Sequence, residues 1–278
     1  MISLQQYINL NRNKIDGHVH LFDHNGFIDD EYNRDFRFNK IVGFLNIDFT
    51  EFDKYNNIVT LYDNFIKNYK NINRVILLAC ATNIEDIKSI HKKYSGIIKG
   101  FGELLCYDRY SNKQIGLKNI EFVRQIAEYN NSLSKPLPIY LHYSLESHND
   151  YQKLYNLFTD FPNISFVLCH CGVPDKHEVE GETDFEMSHN LFKKLIELDN
   201  VYGDLTDAAR PFYKKNLNKL YSLNINKLII GTDFTPSHFR KLKQKEISKS
   251  KIDKIYSKFD DFNSLINSDN VIKKIFNL

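Results

Sequence analysis

Eight short apolar runs recur along the chain at intervals that leave room for a helix between most neighbours. They read KIDGHVHL (14–21), KIVGFLNI (40–47), RVILLACA (74–81), GIIKGFGELL (96–105), LPIYLHY (137–143), ISFVLCH (164–170), NVYGDLT (200–206) and KLIIGTDF (227–234). The runs are rich in β-branched residues and mostly lack polar alternation, so they read as strands covered on both faces. The stretches FDKYNNIVTLYDNFIKNYK and LKNIEFVRQIAEYNNSL between them carry apolar residues at i, i+3, i+4 and i+7, which predicts amphipathic helices. Eight strand–helix units in 278 residues predict a (β/α)8 barrel with additional C-terminal helices, forming one domain over residues 1–278. An open doubly wound sheet is the alternative. It would carry a glycine-rich turn after its first strand, and DGHVHLFDHNG is not one. The connection after the first strand, up to residue 39, is not clearly helical and reads as a long loop over one mouth of the barrel.

The bulk composition excludes several functions. A formal net charge of +2 argues against a nucleic-acid groove. The basic stretch RKLKQKEISKSKIDK is interrupted by acids and reads as a solvated helix face. No apolar run approaches the ~18 residues of a membrane span, and MISLQQYINLNRNK lacks the pattern of a signal peptide. Cys80, Cys106, Cys169 and Cys171 lie in or at the ends of apolar runs, which fits a reducing cytoplasm better than a disulfide framework. CHC at 169–171 has no second ligand pair at zinc-finger spacing. Apolar side chains among the many tyrosines and phenylalanines would support a homodimer.

The chemistry gathers at one place in the pattern. His18 and His20, two apart on a strand, point to the same face. Glu103, His142, His170 and Asp233 stand at the C-terminal ends of the fourth, fifth, sixth and eighth runs. In a (β/α)8 barrel those ends meet at one mouth, which holds the active site. Taken singly, each residue has an ordinary explanation, as a hydrogen-bonded core histidine or a helix cap. Taken together, six such residues at strand ends point to a metal site. Imidazole and carboxylate without clustered thiolate suit Zn(2+) first, at one or two ions per chain. Arg109 and Arg210 follow the fourth and seventh runs. With eight arginines in the chain, they would favour an anionic small-molecule substrate, with Tyr143 also lining the pocket. His24, His177 and His189 read as surface residues.

The segments IDGHVHLF, GFGELL, PIYLHYS, FVLCHCG, NVYGDLTDAARPF, LIIGTDFTP and INSDNVIKKIFNL, in that order, resemble the amidohydrolase superfamily, and within it the amidohydrolase-related (amidohydrolase 2) branch. The resemblance implies a TIM-barrel hydrolase in which metal-activated water attacks a C–N or C–O bond of an ester, lactone or amide. It makes His18, His20 and His142 metal ligands. His170 then binds a second metal or the substrate and attacking water, and Asp233 touches the metal and shuttles the proton. Many superfamily members carry a carboxylated lysine where this chain has Glu103, and glutamate bridges two metals in the similar TatD-type nucleases. The same site could run a non-oxidative decarboxylation, which is the alternative reading. Behind it stand a TatD-like nuclease and a non-catalytic metal-binding protein.

Overall fold

The computed structural model describes residues 14–21, 40–45, 58–69, 72–105, 120–174, 184–206, 209–231, 262 and 266–278. The eight predicted runs all form strands: β1 (Ile15–Leu21), β2 (Lys40–Leu45), β3 (Val75–Ala79), β4 (Ile98–Leu105), β5 (Ile139–His142), β6 (Phe166–Leu168), β7 (Val201–Leu205) and β8 (Leu228–Ile230). They make one parallel sheet in the order β1 to β8, curled into a nearly closed (β/α)8 barrel. The helices α1 (Ile58–Asn68), α2 (Ile84–Lys93), α3 (Ile120–Asn131), α4 (His148–Asp160), α5 (Phe185–Leu195), α6 (Ala209–Lys215), α7 (Leu217–Tyr221) and α8 (Ser268–Phe276) complete the described elements. The loop expected after β1 lies outside the described residues. Among the described residues no helix is long and apolar enough to cross a membrane.

The strands are mostly apolar because each face meets a different core. On β3, Val75, Leu77 and Ala79 join the layer between sheet and helices, while Ile76 and Leu78 face the lumen. The helices answer with single stripes. On α1, Ile58, Leu61, Tyr62 and Phe65 are buried at the spacing the sequence predicts. Asn83 and Ser147 cap α2 and α4, accepting from Asp86 N and Asp150 N.

The lumen is filled from one side by α8. Val271, Ile272 and Ile275 pack with Val42, Phe44, Ile76, Leu78, Tyr140 and Val167. Phe276 stacks on Tyr140 at 6.1 Å between centroids, and Tyr140 meets Phe44 at 5.5 Å. The helix also ties the seam where β1 and β8 come together without a ladder. Asp269 Oδ1 accepts from Ile15 N at 2.9 Å on one edge, and Ser268 Oγ accepts from Ile230 N at 2.9 Å on the other. Seam glycines let the edges approach. A Cβ on Gly17 would stand 2.8 Å from the Ile230 carbonyl oxygen.

Because the Ile230 N–H is buried, removing its acceptor leaves a donor unpaired. Ser268→Ala is expected to cost about 1–3 kcal/mol in urea unfolding, with Ser268→Thr largely sparing it. A loss below about 0.5 kcal/mol for the alanine variant would show that the seam is not held by this bond.

Candidate metal centre

Two irregularities in the sheet aim the first ligands. The β1–β2 register shifts between Asp16 and Val19, and the β4–β5 register shifts between Phe101 and Leu104. Each shift contains a glycine followed by a site residue, Gly17–His18 and Gly102–Glu103. A bulge of this kind turns a side chain that regular pleating would send elsewhere. Gly102 adopts φ +126°, and a Cβ there would fall on the Tyr140 backbone, so no larger residue fits beneath Glu103. His142 needs no such device, being the last residue of β5. His170 follows β6 in a short 3₁₀ turn and holds a left-handed backbone, φ 53° and ψ 21°, as does Cys171 at φ 54°. Such a conformation costs a non-glycine residue about 1–2 kcal/mol and gathers at functional sites.

These four elements bring five side chains together, all buried. The Nε2 atoms of His18 and His20 stand 3.4 Å apart. Two ligands of one tetrahedral zinc, each ~2.05 Å from it, stand about 3.3 Å apart, so the observed spacing is that of a shared ion. Glu103 lies between two histidine pairs. Its Oε2 is 3.8 Å from His20 Nε2, and its Oε1 is 4.0 Å from His18 Nε2. Oε1 also lies 3.8 Å from His170 Nε2 and accepts a hydrogen bond from His142 Nδ1 at 2.6 Å. The His142 and His170 rings meet edge to face at 4.6 Å. Two compact ligand groups result, His18–His20–Glu103 and Glu103–His142–His170, with the carboxylate in both.

Burial pushes the Glu103 pKa up, but the charge and hydrogen bond of His142, with His18 and His20 behind it, hold the carboxyl well below its usual range. An ionised carboxylate therefore sits in the lumen, and its Oε2 has no hydrogen-bond partner among the described residues. A cation would satisfy this oxygen, and the imidazoles around it supply the further ligands such an ion needs. The donor set of imidazole and carboxylate fits zinc or another divalent metal of similar preference. Cys169 stands with His18 and Asp204 in a third compact group, while Cys80 takes no part. Burial and then the Glu103 charge push the Cys80 thiol up to about 12, and its Sγ donates to the Glu103 carbonyl at 3.0 Å.

Two residues that the sequence reading passed over complete the arrangement. Asp204 Oδ2 bonds His18 Nδ1, the nitrogen facing away from His20 and Glu103. Thr206 Oγ1 bonds His170 Nδ1 at 2.8 Å. Both lie two apart at the end of β7, at the parity of the lumen residue Tyr202. An acid inside the apolar run NVYGDLT was the signal that could have found them.

Two expectations are corrected. Tyr143 follows His142 at the opposite parity, so it packs between sheet and helices, and its hydroxyl donates to Asp150 Oδ1 at 3.2 Å instead of lining the pocket. His189 is buried, not superficial, with Nδ1 3.2 Å from the Tyr213 hydroxyl, because it lies on the inward stripe of α5. Arg210 falls in the first turn of α6, directly after β7, and its side chain lies outside the described residues. Asp233, Arg109, His24 and His177 also lie outside them.

No protein-family model and no curated protein sequence matches the chain. Solved structures do match along nearly its whole length. An amidohydrolase from Burkholderia multivorans, crystallised with bound zinc, is 12% identical with a TM-score of 0.58, covering 96% of this chain and 99% of that one. Dihydroorotase from Campylobacter jejuni is 16% identical with a TM-score of 0.53, covering 96% and 84%. An amidohydrolase 2 from Bifidobacterium longum subsp. infantis is 13% identical with a TM-score of 0.50, covering 96% and 100%. The chain has the TIM-barrel fold of these amidohydrolases, in agreement with the resemblance its motifs carry.

Proposed function

We propose that the chain is a metal-dependent hydrolase of small molecules, with one divalent cation held by His18, His20 and Glu103 and a second by Glu103, His142 and His170. The observation that carries this reading is the buried Glu103 carboxylate, half unpartnered, at the junction of both groups. Zinc is the first choice for such a donor set, and the Burkholderia multivorans structure was crystallised with zinc. When bound, such a cation lowers the pKa of a water toward ~7 and polarises a carbonyl oxygen.

The chain's own residues supply the rest. Asp233, an even four residues after lumen-facing Ile229 in the sequence, is assigned the proton. It takes that proton from the attacking water and returns it to the departing nitrogen or oxygen. His170, fixed through Nδ1 by Thr206, presents Nε2 toward Glu103 and the reacting centre. Arg109 and Arg210 are assigned to an anionic group of the substrate, where a guanidinium fork matches carboxylate or phosphate. A carboxylate shared between two ligand groups favours hydrolysis over decarboxylation, which has little need of a bridging ligand.

Metal analysis of the purified chain should find two equivalents of a divalent cation. His18→Ala with His20→Ala should lose the first, and His142→Ala with His170→Ala the second. Less than about 0.2 equivalent after zinc dialysis of folded protein would remove the basis of the assignment. Activity is best sought with lactones, esters and amides bearing a carboxylate. Chelation should abolish it and zinc restore it. Carbon dioxide released from aromatic or unsaturated acids, without hydrolysis, would favour the lyase.

A second experiment addresses the proton. Asp233→Asn should keep the fold and the metal yet lose about 10²–10⁴-fold in kcat, the usual worth of a positioned acid–base group. A variant turning over at the unmutated rate would take the proton role away from Asp233.

A further inference from the structure

The His18 ring is held from both sides by different chemistry. Its Nε2 faces His20 Nε2 at 3.4 Å and Glu103 Oε1 at 4.0 Å, while its Nδ1 bonds the Asp204 carboxylate. The two nitrogens of an imidazole point to opposite sides of the ring, so a carboxylate on Nδ1 cannot serve the ion that Nε2 serves. Both side chains are fully buried. Asp204 Oδ1 has no hydrogen-bond partner among the described residues, which leaves His18 as the donor that satisfies this carboxylate. A carboxylate accepts and never donates when ionised. The proton of neutral His18 therefore belongs on Nδ1, and the Nε2 lone pair is left facing the ligand group.

Surrounding contacts confine the ring. Phe44 packs edge-on at 4.7 Å between centroids, His170 lies at 5.6 Å and His20 at 5.2 Å. Gly231 of the seam presses from behind, where a Cβ would fall within 2.6 Å of the His18 backbone nitrogen. With the ring fixed in place, the only freedom left to His18 is which nitrogen carries the proton, and Asp204 decides that.

We infer that Asp204 is a positioning residue of the metal centre: through its bond to Nδ1 it fixes the tautomer of His18 and raises the affinity of the His18–His20–Glu103 group for its ion. This rests on the metal-dependent reading above. Carboxylate partners of ligating histidines typically contribute 10–100-fold in metal affinity. The effect arises because the carboxylate both orients the ring and makes its free nitrogen a better donor. Asparagine at 204 keeps the shape but brings an amide NH₂ that can donate to Nδ1, which would move the proton to Nε2 and block the lone pair.

The test is zinc affinity, read by competition with a chromophoric chelator on full-length wild-type and Asp204→Asn protein, with unfolding of the metal-free forms compared alongside. One of the two equivalents is expected to weaken about 10–100-fold in the variant. The second measurement needs no variant. Nitrogen NMR of the zinc-loaded wild-type chain, labelled at histidine, should show His18 protonated at Nδ1 with that proton strongly deshielded by a carboxylate. Zinc binding within about threefold of wild type in folded Asp204→Asn, or a His18 protonated at Nε2, would overturn the inference while leaving the metal site standing. A wild-type chain that binds no zinc would overturn both.

Discussion

Five groups that each offer a lone pair converge inside this barrel: four imidazoles and the carboxylate of Glu103. Brought together dry, they repel one another. Stripping a carboxylate of water costs several kcal/mol even in a relaxed protein interior, and imidazole lone pairs facing it return nothing. Positive charge must therefore lie among them, as protons or as metal ions. One proton lies in the bond between His142 Nδ1 and Glu103 Oε1, and an ion taken up by those two residues would displace it. That bond leaves Oε2 without a donor among the described residues, and the facing Nε2 atoms of His18 and His20 still lie close together. A cation answers both at once. A site of this kind survives without its ion only if the surrounding structure is rigid enough to hold repelling groups in register.

The barrel supplies that rigidity at specific places. The sheet departs from regular pairing at Gly17–His18 and at Gly102–Glu103, and both departures deliver a ligand. His170 is delivered by a backbone in the left-handed region, tied by Val173 N donating to its carbonyl at 3.0 Å and by Thr206 at its ring. Local geometry that regular strands would avoid thus recurs at residues that carry chemistry, although the sheet also shifts register between Leu77 and Leu78. It is held by apolar packing above and below, which over-determines it.

The barrel was legible in the sequence because its physics is repetitive. A strand buried on both faces must be largely apolar at consecutive positions, and the chain does this eight times, with boundaries off by at most four residues. The ligands were legible because a polar residue at the end of such a run has little other reason to be there. Parity explains what was missed. Tyr143 stands next to His142 on the strand, and adjacent residues face opposite sides, so the pair could not both reach the lumen. Asp204 was hidden by its position inside an apolar run, where it reads as an interruption, and its meaning depends on His18, which lies 186 residues earlier in the chain. No pattern local to either residue encodes that contact. The bulges were equally silent, since a glycine before a polar residue is common and only the register between strands reveals the shift.

The arrangement also divides labour along the barrel axis. Beneath the histidines the lumen is sealed by a column of rings, Phe44, Tyr140 and Phe276, with the apolar stripe of α8 packed against it. The same dry floor lowers the local dielectric around His18 and Asp204, where a charge-assisted hydrogen bond is worth more than it would be in water. Ligands come from β1, β4, β5 and β6, and their alignment comes from β7. Among the described residues, the contacts of the site thus lie on the strands and on the residues that directly follow them. A barrel that carries its polar residues on and just after the strands can in general vary its connecting loops without moving them.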